Sequence, residues 1–301
     1  MLIITPYFNP QKYKALLRNH NIFAKRLVDQ GANLLTVELT FNDESPELNN
    51  TKYGKTIHLK SNSIMWQKEQ IVNYAIKNCM ENETKFAWID CDILFDDSSW
   101  IKRAEEKLDS ADIIQLFKKV FLLNQGNTYY GDSHEMIFQG VVWQYKLHKN
   151  WLPRRKNKEL PFSHPGFAWA ARKDAFPNGL YPFSVTGSGD TLMVDALLDS
   201  WDIHSYARKF TPELRNSINE WCSKLKPLKI DYIPEDIYHL WHGSIKNRAY
   251  TTRHNILVEY NFNPTVDVVE KNGVLEWNSD KPELHNAIKE YFLHRNEDND
   301  K

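Results

Sequence analysis

Lys85-Phe86-Ala87-Trp88-Ile89-Asp90-Cys91-Asp92-Ile93-Leu94-Phe95 is the stretch on which the reading of this chain turns. Phe86 to Ile89 has the apolar, aromatic character of a buried strand, and it runs without a break into two carboxylates followed by more apolar residues. Bare carboxylates in such a run cost free energy unless a cation or good hydrogen bonds compensate them. Alternate residues at a strand end point the same way, so Asp90 and Asp92 can share one small volume. Their oxygens suit a hard divalent cation, Mn²⁺ or Mg²⁺, of the kind that also bridges phosphate oxygens. The alternative is a loop whose backbone N–H groups satisfy both side chains. The same spacing recurs at Asp298-Asn299-Asp300, where the polar tail around it gives the pair no comparable meaning.

The flanking elements give the strand its setting. Leu2 to Thr5 is a short apolar run closed by Pro6, a strand followed by a loop. Lys12 to Gln30 has helical spacing, with Tyr13, Leu16, Leu17, Phe23, Leu27 and Val28 apolar and Gly31 as the stop. Asn33 to Phe41 is a second strand and Thr56 to Leu59 a third. Met65 to Cys79 is helical. Ser98 or Ser99 caps a helix through Leu108, and Asp112 to Phe117 is a further strand. Strands alternating with helices predict an α/β fold with a mainly parallel sheet covered on both faces. Ligands bind such sheets beyond the carboxyl ends of the strands, where Thr5 to Asn9, Glu38 and Asp90 to Asp92 lie.

The second half is less regular. Gly166 to Phe176 reads as a strand entering a turn, with helices over Thr191 to Leu198 and Pro212 to Leu225. Ile230 to Ile233 and Ile237 to Trp241 bracket a strand region that ends in His242-Gly243. Asn247 to Tyr260 and Pro282 to Leu293 read as helices. The polar tail from Arg295 to Lys301 is expected to fray. No repeat, low-complexity block or long linker interrupts the chain.

Bulk composition narrows the class. The chain has 301 residues with 42% hydrophobic and 26% charged, ordinary values for a globular enzyme. With a net charge of −1, nothing points to a general affinity for nucleic acid or anionic membrane, so any phosphate recognition has to be local. The 10 tryptophans suit either a Trp-rich core or sugar-stacking surfaces. Cys79, Cys91 and Cys222 form neither a disulfide framework nor a zinc site, which fits a reducing compartment. Met1 leads directly into the first strand without a signal peptide, and no apolar stretch reaches the roughly 18–20 residues of a bilayer span. The expectation is a cytoplasmic protein of bacterial or viral origin.

Further candidates lie late in the chain. His242 is a candidate third ligand beside the Asp pair, and a neutral imidazole shifts the preference from Mg²⁺ towards Mn²⁺. Gly243 lets a backbone come close. A histidine hydrogen-bonded within a loop is the alternative. Leu240 and Trp241 suggest that His239 points elsewhere. Asp190, after Gly187-Ser188-Gly189 and before a helix, is placed either to act as a general base or to cap that helix. Lys246, Arg248 and Arg253 can grip a diphosphate or form a solvated helix face. Arg154 and Arg155 are expected to be exposed. Trp169 is a sugar-stacking wall or a core residue.

Taken in order, these segments resemble the GT-A glycosyltransferases, particularly family 2 enzymes and the galactosyltransferase C-terminal module, over about residues 1 to 250. Ile3 to Asn9 is similar to the family's nucleoside-holding strand and loop, which implies binding roles for Thr5, Pro6 and Tyr7. Glu38 stands where an acidic or polar residue meets the base. Trp66-Gln67-Lys68-Glu69 with Asn73 resembles the helix start that touches base, ribose or phosphate. Asp90-Cys91-Asp92 matches the metal motif, His242-Gly243 the late metal histidine, and Gly187-Ser188-Gly189-Asp190 the turn carrying the catalytic base. Gly189 stands where many relatives have a second acid, and Val185 and Thr186 replace the aromatics that flank this turn in galactosyltransferases.

The resemblance implies a GT-A (Rossmann-like) catalytic domain over 1–260. Residues 1–120 would form its nucleotide-binding half and 121–260 its acceptor-binding half, followed by a helical extension over 261–301. It also implies a Mn²⁺- or Mg²⁺-dependent transfer from a nucleotide-diphosphate sugar, a UDP-sugar, to a glycan or other hydroxyl acceptor. The competing functions are a nucleotidyltransferase, disfavoured because Thr5-Pro6-Tyr7-Phe8-Asn9 is neither glycine-rich nor basic, and a non-catalytic sugar-binding protein.

Overall fold

The computed structural model describes residues 1–48, 53–129, 131, 133–201, 204 and 207–299. In chain order, its first elements are β1 (Leu2–Phe8), α1 (Lys14–Asp29), β2 (Asn33–Phe41), β3 (Lys55–Ser61), α2 (Lys68–Cys79), β4 (Lys85–Ile89), β5 (Ile93–Phe95), α3 (Ser99–Lys107) and β6 (Ile113–Gln115). The middle of the chain forms β7 (Lys119–Leu123), β8 (His134–Gly140), α4 (Val141–Leu147), α5 (Trp151–Lys156), β9 (Ser163–His164), β10 (Ala168–Arg172), α6 (Gly189–Leu198) and α7 (Pro212–Ser223). The last elements are β11 (Ile230–Tyr232), β12 (Asp236–His239), α8 (Asn255–Glu259), α9 (Pro264–Asp267), β13 (Val268–Lys271), β14 (Val274–Trp277) and α10 (Pro282–His294).

The central sheet has the order β11-β6-β10-β4-β1-β2-β3. It is parallel throughout except at β10, which runs antiparallel to both neighbours. Successive side chains of its strands feed opposite cores. Ile3, Ala87 and Ile89 pack with Phe23, Ala24 and Leu27 of α1 and Trp100 and Ala104 of α3. Ile4, Phe86 and Trp88 pack with Ile71, Val72 and Ala75 of α2. Both faces are therefore buried, and the near-continuous apolar runs of β1 and β4 follow from that.

A second sheet, β5-β12-β7-β8-β9, stands beyond the carboxyl end of β4. β5 begins one residue after Asp92 and pairs antiparallel with β12, setting His239 opposite Ile93. The Leu240 N–H donates to the Asp92 carbonyl at 2.9 Å. This register is what carries a histidine from the far end of the chain to the Asp-x-Asp turn.

Several expectations are corrected. Ser99 begins α3, but neither serine side chain caps it. The acceptor there is Asp97 Oδ1, 2.7 Å from the Ser99 N–H. Residues 247–260 do not form one helix: a 3-10 turn over Ile245–Arg248 ends at Ala249, whose φ is 46°, and α8 starts later. The extension over 261–301 is not purely helical, because β13 and β14 form a hairpin there. Its turn is Asn272-Gly273, with φ of 52° and 85°, a dipeptide that favours tight hairpins. The tail is not frayed over the described residues, since Arg295 and Glu297 are only 8% and 4% exposed. Asp300 and Lys301, also assigned to that tail, lie outside the described residues. Among the described residues no helix is long and apolar enough to cross a membrane.

Candidate functional site

A cavity of about 490 Å³ opens where β1 and β4 end, with Asp90 and Asp92 in its lining. β1 and the residue after it supply Pro6, Phe8 and Asn9, the loop before β10 supplies Gly166 and Phe167, and the first turn of α6 supplies Asp190. His239 and His242 enter from the end of β12, and Arg295 and Glu297 from the tail.

Asp92, His239 and His242 form one buried cluster, each offering a ligand atom within 4.8 Å of the others. The Nε2 atoms of His242 and His239 lie 2.9 and 3.5 Å from Asp92 Oδ2. Asp92 Oδ1 is buried with no hydrogen-bond partner. Burial alone would raise the Asp92 pKa, but His239, His242 and Arg248 outweigh it and hold the carboxyl below its usual range. Burial drives His239 down to about 3 against the pull of Asp92, which favours the neutral, ligating imidazole. Two imidazole nitrogens, a carboxylate and an orphaned carboxylate oxygen fit a divalent cation, and this mixed set fits Mn²⁺ better than Mg²⁺. His239, expected to point elsewhere, is thus in the cluster, brought there by the β5–β12 register.

The tail completes this cluster from behind. Glu297 Oε2 lies 3.5 Å from His242 Nδ1, a nitrogen with no closer hydrogen-bond partner. Arg295 Nε donates to Glu297 Oε1 at 2.6 Å. Burial works against ionisation of Glu297, but Arg295 and then His242 outweigh it and hold the carboxyl far below the usual range.

Asp90 is engaged differently from Asp92. Lys68 Nζ sits 2.6 Å from Asp90 Oδ1 and 2.8 Å from Asp190 Oδ2, a buried ammonium bridging two carboxylates. Burial lifts Asp90 to about 6 against the pull of Lys68. Lys68, whose implied partner was the nucleotide, lines the cavity and pairs there with these two acids. Next to it, both oxygens of Glu69 are buried without partners, and burial pushes its carboxyl up to about 8. Glu69 also packs where a Cβ on Gly189 would stand. The glycine before Asp190 thus leaves room for this side chain.

Of the late cations singled out in the sequence, Arg248 and Arg253 reach the cavity and Lys246 does not. Lys246 is exposed and does not line it, whereas Arg248, Arg253 and Arg295 are buried and do. Arg253 donates to Tyr291 Oη at 2.9 Å and Ser188 Oγ at 2.6 Å, and Arg248 to Tyr250 Oη at 3.1 Å. The Nε atoms of Arg248 and Arg253 have no partner. Trp66 lines the same space, edge-on to Phe8 at 5.1 Å and stacked on Phe292 at 6.4 Å, with Arg295 over its ring at 5.3 Å.

Other residues implied by the resemblance stand elsewhere. Thr5 Oγ1 donates to the Ile89 carbonyl at 2.8 Å, stapling β1 to β4. The Tyr7 hydroxyl donates to Glu47 at 2.9 Å inside the second core. Glu38 accepts from the Glu47 and Leu48 N–H groups at 2.6 and 3.1 Å and so holds a loop. Asn73 exchanges hydrogen bonds with the Leu180 backbone at 2.7 and 2.8 Å. Trp169 is a core residue, 1% exposed and stacked on Trp88. The residues that sequence reasoning missed are His239, Phe292, Arg295 and Glu297. The apolar pair Tyr291-Phe292 inside a helix and the Arg-x-Glu spacing after it were the available signals, and both are common in unrelated contexts.

The sequence matches no known family and no curated protein. Three solved structures show what the fold is similar to. Glucosyl-3-phosphoglycerate synthase from Mycobacterium tuberculosis, in complex with Mg²⁺ and UDP, aligns at 12% identity and a TM-score of 0.44, covering 86% of this chain and 78% of that one. The same enzyme with Mn²⁺, UDP-glucose and phosphoglyceric acid gives 11% and 0.43, covering 92% and 85%. S. aureus TarS 1–349 in complex with UDP-GlcNAc gives 12% and 0.41, covering 98% of this chain and 71% of that one.

Proposed function

We propose that the chain is a metal-dependent glycosyltransferase that moves a sugar from a nucleotide-diphosphate donor, a UDP-sugar, to a hydroxyl acceptor such as a glycan. The observation that carries this reading is the Asp92–His239–His242 cluster, with its orphaned carboxylate oxygen, facing the same cavity as three buried arginines. A divalent cation held by those three side chains supplies charge neutralisation for a diphosphate leaving group. Arg248 and Arg253 line the same space, and their guanidinium groups suit phosphate oxygens. Trp66, Phe8 and Phe292 offer apolar surface to a base or a sugar face.

Asp190 is assigned as the base of an inverting transfer. Its ion pair with Lys68 holds the carboxylate in the cavity wall. The acceptor oxygen bonds to the anomeric carbon while the bond to the diphosphate breaks, and the acceptor proton passes to Asp190. Asp90, on the other side of Lys68, orients that ammonium.

The experiment is a titration of nucleotide sugars with and without Mn²⁺, followed by turnover of Asp190→Asn. Tight binding of a UDP-sugar only with Mn²⁺, and a loss of about 10²–10⁴ in turnover with donor binding retained, are expected. Metal-independent donor binding overturns the cation reading, and normal turnover of Asp190→Asn overturns the base. Preference for a nucleoside triphosphate with a sugar phosphate makes the chain a nucleotidyltransferase instead.

A further inference from the structure

A net charge of −1 conceals a strong local asymmetry. Residues 145–158 contain Lys146, Lys149, Arg154, Arg155, Lys156 and Lys158 and no acid, so the rest of the chain is net acidic. This stretch runs from the end of α4 through the whole of α5, and Val141, Val142 and Trp151 of these helices are buried.

Apolar side chains stand exposed among the cations. Met136, Ile137, Tyr145, Leu147 and Phe162 are 42–56% exposed, five of the nine large hydrophobic side chains exposed among the described residues. Two of them are held by ring contacts: the Tyr145 ring meets Trp151 at 5.9 Å, and Phe162 meets Phe138 of β8 at 5.4 Å with Arg155 over its ring at 5.2 Å. Single exposed apolar residues are ordinary, but five of them beside six basic residues, with Glu135 and the Arg154-paired Glu159 as the acids nearby, have the composition of an interfacial surface.

This face is continuous with the cavity. Phe138 and Phe162 also line it, beside His164 and Phe167, whose rings stack at 3.9 Å.

We infer that this face, made by α4, α5, β8 and Phe162, docks on a lipid bilayer carrying anionic headgroups, with the aromatic end of the cavity turned towards the membrane. Charge complementarity selects the occupant. A bilayer gives every cation an anionic partner at once and takes up the apolar side chains between them. Under the proposed function, a lipid-borne acceptor would enter at this aromatic end. The docking itself does not depend on that function.

The test is co-sedimentation of the full chain with phosphatidylcholine vesicles, with and without phosphatidylglycerol, at low and high salt. Binding to the anionic vesicles that weakens with salt is expected. Lys146→Ala/Lys149→Ala/Arg155→Ala should weaken it about a hundredfold, and Met136→Ser/Leu147→Ser about tenfold. Circular dichroism of these surface variants should match the parent. Failure to bind anionic vesicles, equal binding to neutral ones, or indifference to both sets of substitutions overturns the inference. So does a dimer, seen by analytical ultracentrifugation, that Met136→Ser/Leu147→Ser dissociates. UDP-sugar binding measured without vesicles decides the function separately, so the two readings fail independently.

Discussion

Asp90-Cys91-Asp92 and Asp298-Asn299-Asp300 share a spacing but not a setting, one inside an apolar run and the other in a polar tail. The fold nevertheless brings one carboxylate of the first motif and one from just before the second to opposite sides of one histidine. Asp92 Oδ2 lies 2.9 Å from His242 Nε2, and Glu297, the residue before the second motif, lies 3.5 Å from His242 Nδ1. A buried polar tail stays ordered when each of its groups has a partner, and this one does so residue by residue. Arg295 donates to Glu297, the Asn296 N–H donates to Tyr13 Oη at 3.0 Å, and Asp298 accepts from the Lys14 and Ala15 N–H groups at 3.0 and 2.7 Å. Gly243, with φ of 78°, belongs to the same arrangement, since a Cβ there would come within 2.8 Å of Glu297 Cα. The close approach that the glycine allows is that of the chain's own tail.

The comparison assigns the two carboxylate segments unequal work, and substitutions can break that assignment. Asp92→Asn keeps the shape of the side chain and removes the charge. Mn²⁺ binding, followed by the paramagnetic resonance of the free ion, should be lost, and turnover should fall about a thousandfold. Wild-type Mn²⁺ affinity in Asp92→Asn would place the cation elsewhere and dissolve the contrast between the two motifs. The next effect is smaller. Glu297→Gln leaves an acceptor for Arg295 but removes the charge behind His242, and Mn²⁺ affinity should drop about 10–100-fold, as for other partners that orient a ligating imidazole. Unchanged affinity would reduce the tail to packing.

How much of this was legible follows from the range of the interactions. β1 and β4 could be read because each is an apolar run between largely apolar neighbours in the sheet, so local pattern and tertiary setting agree. The Asp-x-Asp turn was legible for the same reason. The pairing of Lys68 with Asp90 and Asp190 was not, because those residues lie on three elements and only the sheet order joins them. His239 was misplaced because alternation along β12 was judged without its partner β5. The hairpin of β13 and β14 was missed although Asn272-Gly273 marked it, since its strands have only four residues each. Glu297 lies in a segment whose composition is that of a disordered end. Its order comes from partners near the amino terminus, at a separation no local window spans.

Those partners also set the smallest expected effect. α1 starts without help from its own sequence: Tyr13 makes no side-chain cap, and no acidic residue stands in the first turn. Asp298 provides from the other end of the chain what an N-cap would provide locally, an acceptor for two free N–H groups and a negative charge at the positive end of the helix. Asp298→Ala should therefore lower stability by about 1 kcal/mol, read from urea unfolding, with Mn²⁺ affinity unchanged. Equal stability would mean that water serves these amides as well as the carboxylate does. A loss of Mn²⁺ affinity as large as that of Glu297→Gln would carry a different message: Glu297 would then hold its place behind His242 only while the end of the chain is anchored, and the tail would act as a single unit clamped between α1 and the metal-ligating histidine.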